Sequence, residues 1–331
     1  MASLLIIAAI AAALLMPGLG VLFAVGPQRL LPSAWLALPV ASILSLALLS
    51  LGLIAAFQLG GSLRHVLLGL GVVLVVCLVR GALRVRQERW VRERRRITVE
   101  PWRPDFASTA VIIATLCAAA AGWVLQSALF SDTLYHLAQA LKIAELDPIT
   151  WSNSAQFQDG SPHPGYVLPT FQALIALPLM RFDPLLVTLL LPTVIVPLGV
   201  LAAAGAAHVV AGTRRAGAVG AWAWLAIPLL GAAPAFRPAS LAPYGGEFAL
   251  HVIAPTVLAL VIAAIAAPTR SLLVLIAVAT VLVGVLHVSY LVHLAIPMLA
   301  IMLGWLWTRP GSEDGETRRT AIVLATVLGA S

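Results

Sequence analysis

Between Ser3 and Val25, and again between Leu185 and Ala211, the chain carries no Asp, Glu, Lys or Arg. Runs of this kind are apolar all round, not along one stripe, so a helix built from them has no polar side to give to water. Only lipid or other helices can surround it. The composition agrees: 61% of residues are hydrophobic, only 10% are charged, and the mean hydropathy is +1.02. Those values exclude an ordinary soluble domain. The formal charge of +7 is then the cytoplasmic bias of Lys and Arg in a membrane protein, and it predicts no nucleic-acid binding. Cys77 and Cys117 both fall inside apolar spans, where they read as small buried hydrophobes and not as a disulfide or metal pair.

Crossing about 30 Å of hydrocarbon takes about 20 apolar residues as a helix. On that basis the predicted spans are Ser3–Val25, Ala34–Phe57, Val66–Leu83, Thr109–Leu129, Leu185–Ala211, Ala216–Ala235, Phe248–Ala267, Leu272–Val288 and Leu291–Trp307. Val167–Met180 and Ala321–Ala330 are shorter. The predicted fold is therefore all-α, a polytopic transmembrane bundle of about 9–11 hydrophobic segments. It divides into an N-terminal three-span region, residues 1–106, and a second region, residues 107–331, with an acidic loop at 131–164. The basic cluster Arg80–Arg96 lies between the third and fourth spans and fixes the cytoplasmic side, which puts the N-terminus and the 131–164 loop outside. If Val167–Met180 is re-entrant or interfacial, Arg214, Arg215, Arg270 and Arg309 all return to the cytoplasm, so that reading is preferred. The last apolar run, from Thr320, would rise only about 18 Å as a helix, which predicts that the protein continues beyond this sequence.

The outer face gathers the hydrogen-bonding residues. The segment SDTLYHLAQALKIAEL opens with Asp132 and His136, four apart and so on one face of a helix. That helix is amphipathic: Leu134, Leu137, Ala138 and Leu141 are suited to lie on the membrane, with Asp132, His136 and Gln139 on another face. Lys142, Asp159 and His163 follow in the same loop. A later loop supplies Arg237, Tyr244 and Glu247, with His251 just beyond, and LHVSYLVH supplies His287, Tyr290 and His293. Plainer uses stand beside these: Asp132 and Glu247 as helix caps, His136 as a snorkelling residue, His287 and His293 as helix-end hydrogen bonders. Ionisable groups at a membrane edge are nonetheless functional candidates by default. No HExxH, CxxC, GKS/T or GxSxG pattern is present, which argues against zinc proteases, P-loop proteins and hydrolase elbows.

A membrane span that delivers an Asp into a large outer loop, followed by a juxtamembrane helix and a Pro-rich entry to the next apolar segment, resembles the GT-C superfamily of membrane glycosyltransferases. The residues that carry the resemblance are SDTLYHLAQALKIAEL, HPGYVLPTFQALIALPLMRFDPLLV and LHVSYLVHL, within about Thr109–His293. The resemblance implies transfer of a sugar from a polyprenyl-phosphate donor to a cell-envelope acceptor, at the outer face of the plasma membrane. Asp132 would be the base that deprotonates the acceptor, and His136, Lys142 or Arg237 would contact phosphate. Asp159, His163, Tyr244, Glu247 and His287 complete the substrate-binding candidates, with Asp159 or Glu247 available as a second acid. Two features depart from the family pattern: three spans precede the acidic loop, and no DxD motif is present, which leaves a divalent-metal requirement open. The competing reading is a multi-pass transporter or flippase, suggested by Pro17, Pro192, Pro197, Pro255 and Pro297 inside spans.

Overall fold

A computed structural model of the chain describes residues 2–26, 31–95, 105–125, 131–154, 168–229, 245–267 and 269–307. All regular structure among them is helical. Helix α1 (Ala2–Val25) is followed by a 3-10 turn at Ala34–Leu36 and by α2 (Ala37–Leu59), then α3 (Leu63–Arg95) and α4 (Phe106–Leu125). Then come α5 (Ser131–Glu145), the single turn α6 (Trp151–Ser154), α7 (Thr170–Leu179), α8 (Pro184–Leu190) and α9 (Pro192–Ala211). The last group is α10 (Arg214–Leu229), α11 (Gly245–Phe248), a π turn (Ala249–Ile253), α12 (Ala254–Ala266), α13 (Arg270–Leu286) and α14 (Tyr290–Trp307).

Among the described residues, six stretches are long and apolar enough to cross a bilayer: Ala2–Val25, Ala34–Leu59, Leu63–Glu88, Phe106–Val124, Pro184–Ala211 and Ala249–Ala266. The protein is thus an all-α, multi-pass membrane bundle. Small residues let the spans approach closely, as expected where no hydrophobic effect drives helices together within lipid. A Cβ on Gly18 of α1 would stand 1.8 Å from the Ala41 carbonyl oxygen of α2. At the same crossing the Gly18 N–H donates to Ser45 Oγ at 2.8 Å. Gly122 of α4 meets the Pro192 backbone in the same way, with 2.7 Å to a built Cβ. Two expected spans are interrupted. Leu185–Ala211 divides at Leu191, where Pro192 cannot supply its N–H to the preceding turn, and Phe248–Ala267 begins with the π turn.

Contacts between helix ends sort the bundle into two ends. At one, Ser33 Oγ bonds His208 Nδ1 at 3.0 Å, Arg214 pairs with Asp105 at 3.2 Å, and Arg84 lies against Gly26. The basic tail of α3 continues from this end. At the other, the Ile149 N–H donates to the Gly61 carbonyl at 2.8 Å and the Leu168 N–H to the Val285 carbonyl at 3.4 Å. Helix α5 lies at this second end.

Helix α7 decides the path of the chain. Its ten residues rise only about 15 Å, half of what a span needs. It enters beside Val285 and leaves at Met180–Arg181, which share a pocket with Arg64 and with Leu141, Ala144 and Glu145 of α5. Its C-terminal end therefore lies at the α5 end, Thr170 lies deeper, beside Ser50 of α2, and ten residues are too few to cross. It is not interfacial either. All ten residues are buried, packed on α1, α2 and α5, with Thr170 Oγ1 2.9 Å from Ser50 Oγ of α2. Its burial fits the re-entrant alternative better than the interfacial one.

Candidate functional site

Helix α5 carries the polar stripe expected from its spacing, but that stripe faces inward. His136 is 2% exposed and Gln139 is 7% exposed, while Leu134 is 51% exposed. An amphipathic pattern alone fixes which residues share a face, not whether the polar face meets water or protein. Here the membrane side takes Leu134, and α7 takes His136. The Gln172 side-chain amide of α7 is hydrogen-bonded to His136 Nδ1 at 2.9 Å. Gln139 donates to the Ser154 carbonyl and so ties α5 to α6. His136, a candidate for phosphate contact, is thus a buried partner of α7.

Asp132 lies in the first turn of α5, one turn ahead of His136 by spacing. Its side chain falls outside the described residues. Tyr135 is half-buried, and burial raises its pKa above the ordinary tyrosine value. Lys142 is half-buried in the last turn of the same helix. Asp159, His163, Arg237 and Tyr244 lie outside the described residues.

A second polar pair lies where the last outer segment re-enters the bundle. Glu247 of α11 and His251 of the π turn are four apart, and His251 Nε2 stands 3.3 Å from Glu247 Oε2. The His251 ring is also edge-on to Trp224 of α10 at 6.0 Å between centroids. Glu247 is therefore engaged with His251, a more specific role than capping the helix that follows it. The π turn widens the helix by one residue, and such turns are frequent at functional sites. The two polar pairs are neighbours: Phe171, which precedes Gln172, packs on Phe248, which follows Glu247, with centroids 5.9 Å apart.

His287 ends α13 in an extended conformation, with φ −167°. Its Nδ1 is 2.7 Å from Ser289 Oγ, and its ring is edge-on to Tyr290 at 5.1 Å. His293 approaches the Ser289 carbonyl at 3.3 Å. These two histidines have helix-end bonding, the plainer of their two readings. No group of three or more His, Cys, Asp or Glu suited to a metal occurs among the described residues.

Sequence reasoning missed Gln172 and the π turn. Gln172 had a signal: it is the lone side-chain amide in the apolar run LPTFQALIALPL, where a polar group needs a partner. Its Oε1 is buried and without a hydrogen-bond partner among the described residues. The π turn had only Pro255 as a hint. Comparison of the chain with protein-family models finds no match, and no curated protein or solved structure is found to be similar.

Proposed function

We propose that the protein is a membrane glycosyltransferase of the GT-C type, using a polyprenyl-phosphate sugar at the outer face of the plasma membrane. The observation that carries this reading is the placement of α5. It follows a membrane span, lies at the end opposite the basic tail of α3, and is seated on the short, buried α7 through His136 and Gln172. In this reading Asp132 is the general base toward the acceptor hydroxyl, and His136 is a positioning residue that holds the first turns of α5 against α7. Glu247, next to α7 through Phe248 and Phe171, is the second acid. Lys142 and Arg237 supply positive charge toward the donor phosphate, as Asp159, His163, Tyr244 and His287 supply hydrogen bonds around it.

A base must have a pKa near the working pH and reach the proton it removes. The test is transfer of radiolabelled sugar from a polyprenyl-phosphate donor in membranes, with wild type beside Asp132→Asn. Transfer by the wild type that is lost in the variant supports the assignment. No transfer by the wild type, with any of several polyprenyl-phosphate sugars, removes the glycosyltransferase reading.

A flippase or transporter is the second reading, favoured by the break at Leu191 and the π turn in otherwise apolar spans. It predicts movement of a lipid-linked substrate across proteoliposomes with no change in its covalent structure.

A further inference from the structure

A pocket of about 290 Å³ opens at the α5 end of the bundle, lined by Arg64, Leu141, Ala144, Glu145, Leu179, Met180 and Arg181. It lies outside the polar pairs described above. Arg64 is in the first turn of α3, Glu145 is the last residue of α5, and Arg181 follows α7, so three helix ends bring two guanidiniums and one carboxylate to one cavity. Here all three are exposed at the rim of the cavity, and none makes a salt bridge or side-chain hydrogen bond among the described residues, so each is free to meet a ligand. Opposite charges held around a space, not in contact, are arranged for a ligand that carries both signs.

The helix surface below the pocket says what kind of ligand. Down α3 from Arg64 the helix is apolar and exposed over most of its surface, and on the Arg64 side Leu68, Val72, Val75 and Val79 follow one another at helical spacing, 56–68% exposed. From Leu68 to Val79 the helix rises about 17 Å, roughly the depth of one leaflet of hydrocarbon. A molecule with its head in the pocket thus has an acyl-length apolar track directly beneath it.

We propose that this pocket binds a zwitterionic phospholipid whose headgroup is a phosphodiester bearing a primary ammonium. Arg64 and Arg181 hold the phosphate, for which the guanidinium fork is well matched, and Glu145 accepts hydrogen bonds from the ammonium. Leu141, Leu179 and Met180 meet the glycerol region, and the chains follow Leu68, Val72, Val75 and Val79. An anionic glycerol headgroup satisfies the arginines but leaves Glu145 facing negative charge. A trimethylated headgroup has the right charges but no N–H to donate.

The test does not depend on any enzymatic activity, so it stands apart from the glycosyltransferase reading. Purified full-length protein in nanodiscs of defined phospholipid composition is transferred to detergent, and retained lipid is counted by native mass spectrometry. Phosphatidylethanolamine is expected to be retained about two- to fivefold over phosphatidylglycerol, and more than phosphatidylcholine. Glu145→Gln should erase most of the preference over phosphatidylglycerol while leaving total retention near wild type. Arg64→Gln with Arg181→Gln should lower retention of all three lipids. Helical content by circular dichroism confirms folding, and Arg86→Gln, at the opposite end, serves as a charge-matched control that should change nothing. Equal retention of ethanolamine and glycerol lipids by the wild type overturns the proposal. So does displacement of bound phospholipid by an equimolar polyprenyl phosphate, which would instead make the pocket a site for the lipid donor's phosphate.

Discussion

The contact between His136 and Gln172 joins α5 to α7, and its strength can be measured by a double-mutant cycle. Gln172→Leu keeps the volume of the side chain roughly constant and removes the hydrogen-bond partner of His136 Nδ1, now at 2.9 Å. A typical hydrogen bond contributes about 0.5–1.5 kcal/mol net, and leaving a buried partner unsatisfied costs about 1–3 kcal/mol. Pairs inside membrane proteins are weaker, averaging about 0.6 and reaching about 1.7 kcal/mol. Two features of this site adjust the figure in opposite directions. His136 is 2% exposed, so water does not replace the lost partner. Gln172 Oε1 has no partner among the described residues, so removing the amide also removes an orphan acceptor. The expected loss for Gln172→Leu is therefore about 1 kcal/mol.

His136→Leu should lose a similar amount, since it orphans the Gln172 amide. The double variant should be less destabilised than the sum of the singles by about 1 kcal/mol, because neither polar group is then left alone. Unfolding equilibria in mixed micelles, read by circular dichroism, give all four corners of the cycle. A coupling below about 0.3 kcal/mol, within the usual additivity error, would refute the claim that this bond seats α5 on α7.

Asp132→Asn, which preserves N-capping, should lower sugar transfer by a factor of about 10² to 10⁴ at unchanged expression if Asp132 is the base; full activity removes it from the mechanism. With Cys77 and Cys117 replaced by Ala, an impermeant thiol reagent on intact cells should label a cysteine at the exposed Asp147 but not one at the exposed Gln87 or Thr213; the reverse pattern overturns the orientation. Gly18→Val should destabilise the bundle by about 1–3 kcal/mol or more, since even a Cβ would stand 1.8 Å from backbone, and wild-type melting would show that α1 and α2 do not cross there. Asp105 is held down to about 2 by hydrogen bonds from the Ser108 hydroxyl and N–H and then by Arg214. A depressed carboxylate stabilises the fold above its ordinary value, near 3.8, and that contribution is lost only as pH falls toward 2. The pH profiles of wild type and Asp105→Asn should therefore run parallel from pH 5 to 8 and converge below about pH 4; divergence above pH 5 would exclude this assignment.

What the sequence made legible, and what it hid, follows from how each signal arises. Span length is a property of the chain alone, so Ser3–Val25 and Ala34–Phe57 fall within about two residues of Ala2–Val25 and of the stretch Ala34–Leu59. The shortness of Val167–Met180 is equally plain, and with the charge rule it is enough to favour a re-entrant or interfacial helix over a span. The direction of the polar face of α5 is not legible, because lipid and a protein core select the same apolar residues. Only the position of α7 shows that His136 and Gln139 point inward. The Gln172 amide is visible as a polar residue in an apolar run, but its partner lies 36 positions away, a distance no local pattern bridges. The π turn at Ala249–Ile253 likewise needs the whole bundle, since a one-residue widening leaves hydrophobic periodicity nearly unchanged.

The burial of α7 explains why the polar residues collect where they do. A ten-residue helix inside a membrane bundle exposes its end groups to apolar surroundings unless the protein bonds them. Its C-terminal carbonyls are used locally: Ala176 accepts from Met180, and Pro178 accepts from Arg181 and Phe182. Its entry is bonded by Leu168 to Val285 and by Thr170 to Ser50. The two entry bonds fix α7 to different neighbours, so the helix has little freedom to slide. Gln172 then reaches α5 from a fixed point, and Phe171 reaches α11 from the same turn. The two candidate polar pairs are thus positioned by one buried element, and a perturbation at α7 should move both. Thr170→Val separates that coupling from simple loss of folding. It keeps the shape but removes the bond to Ser50, and should shift the environment of Trp224, which packs on His251, as well as weaken the His136–Gln172 coupling. A change confined to one of the two pairs would show that α7 does not link them.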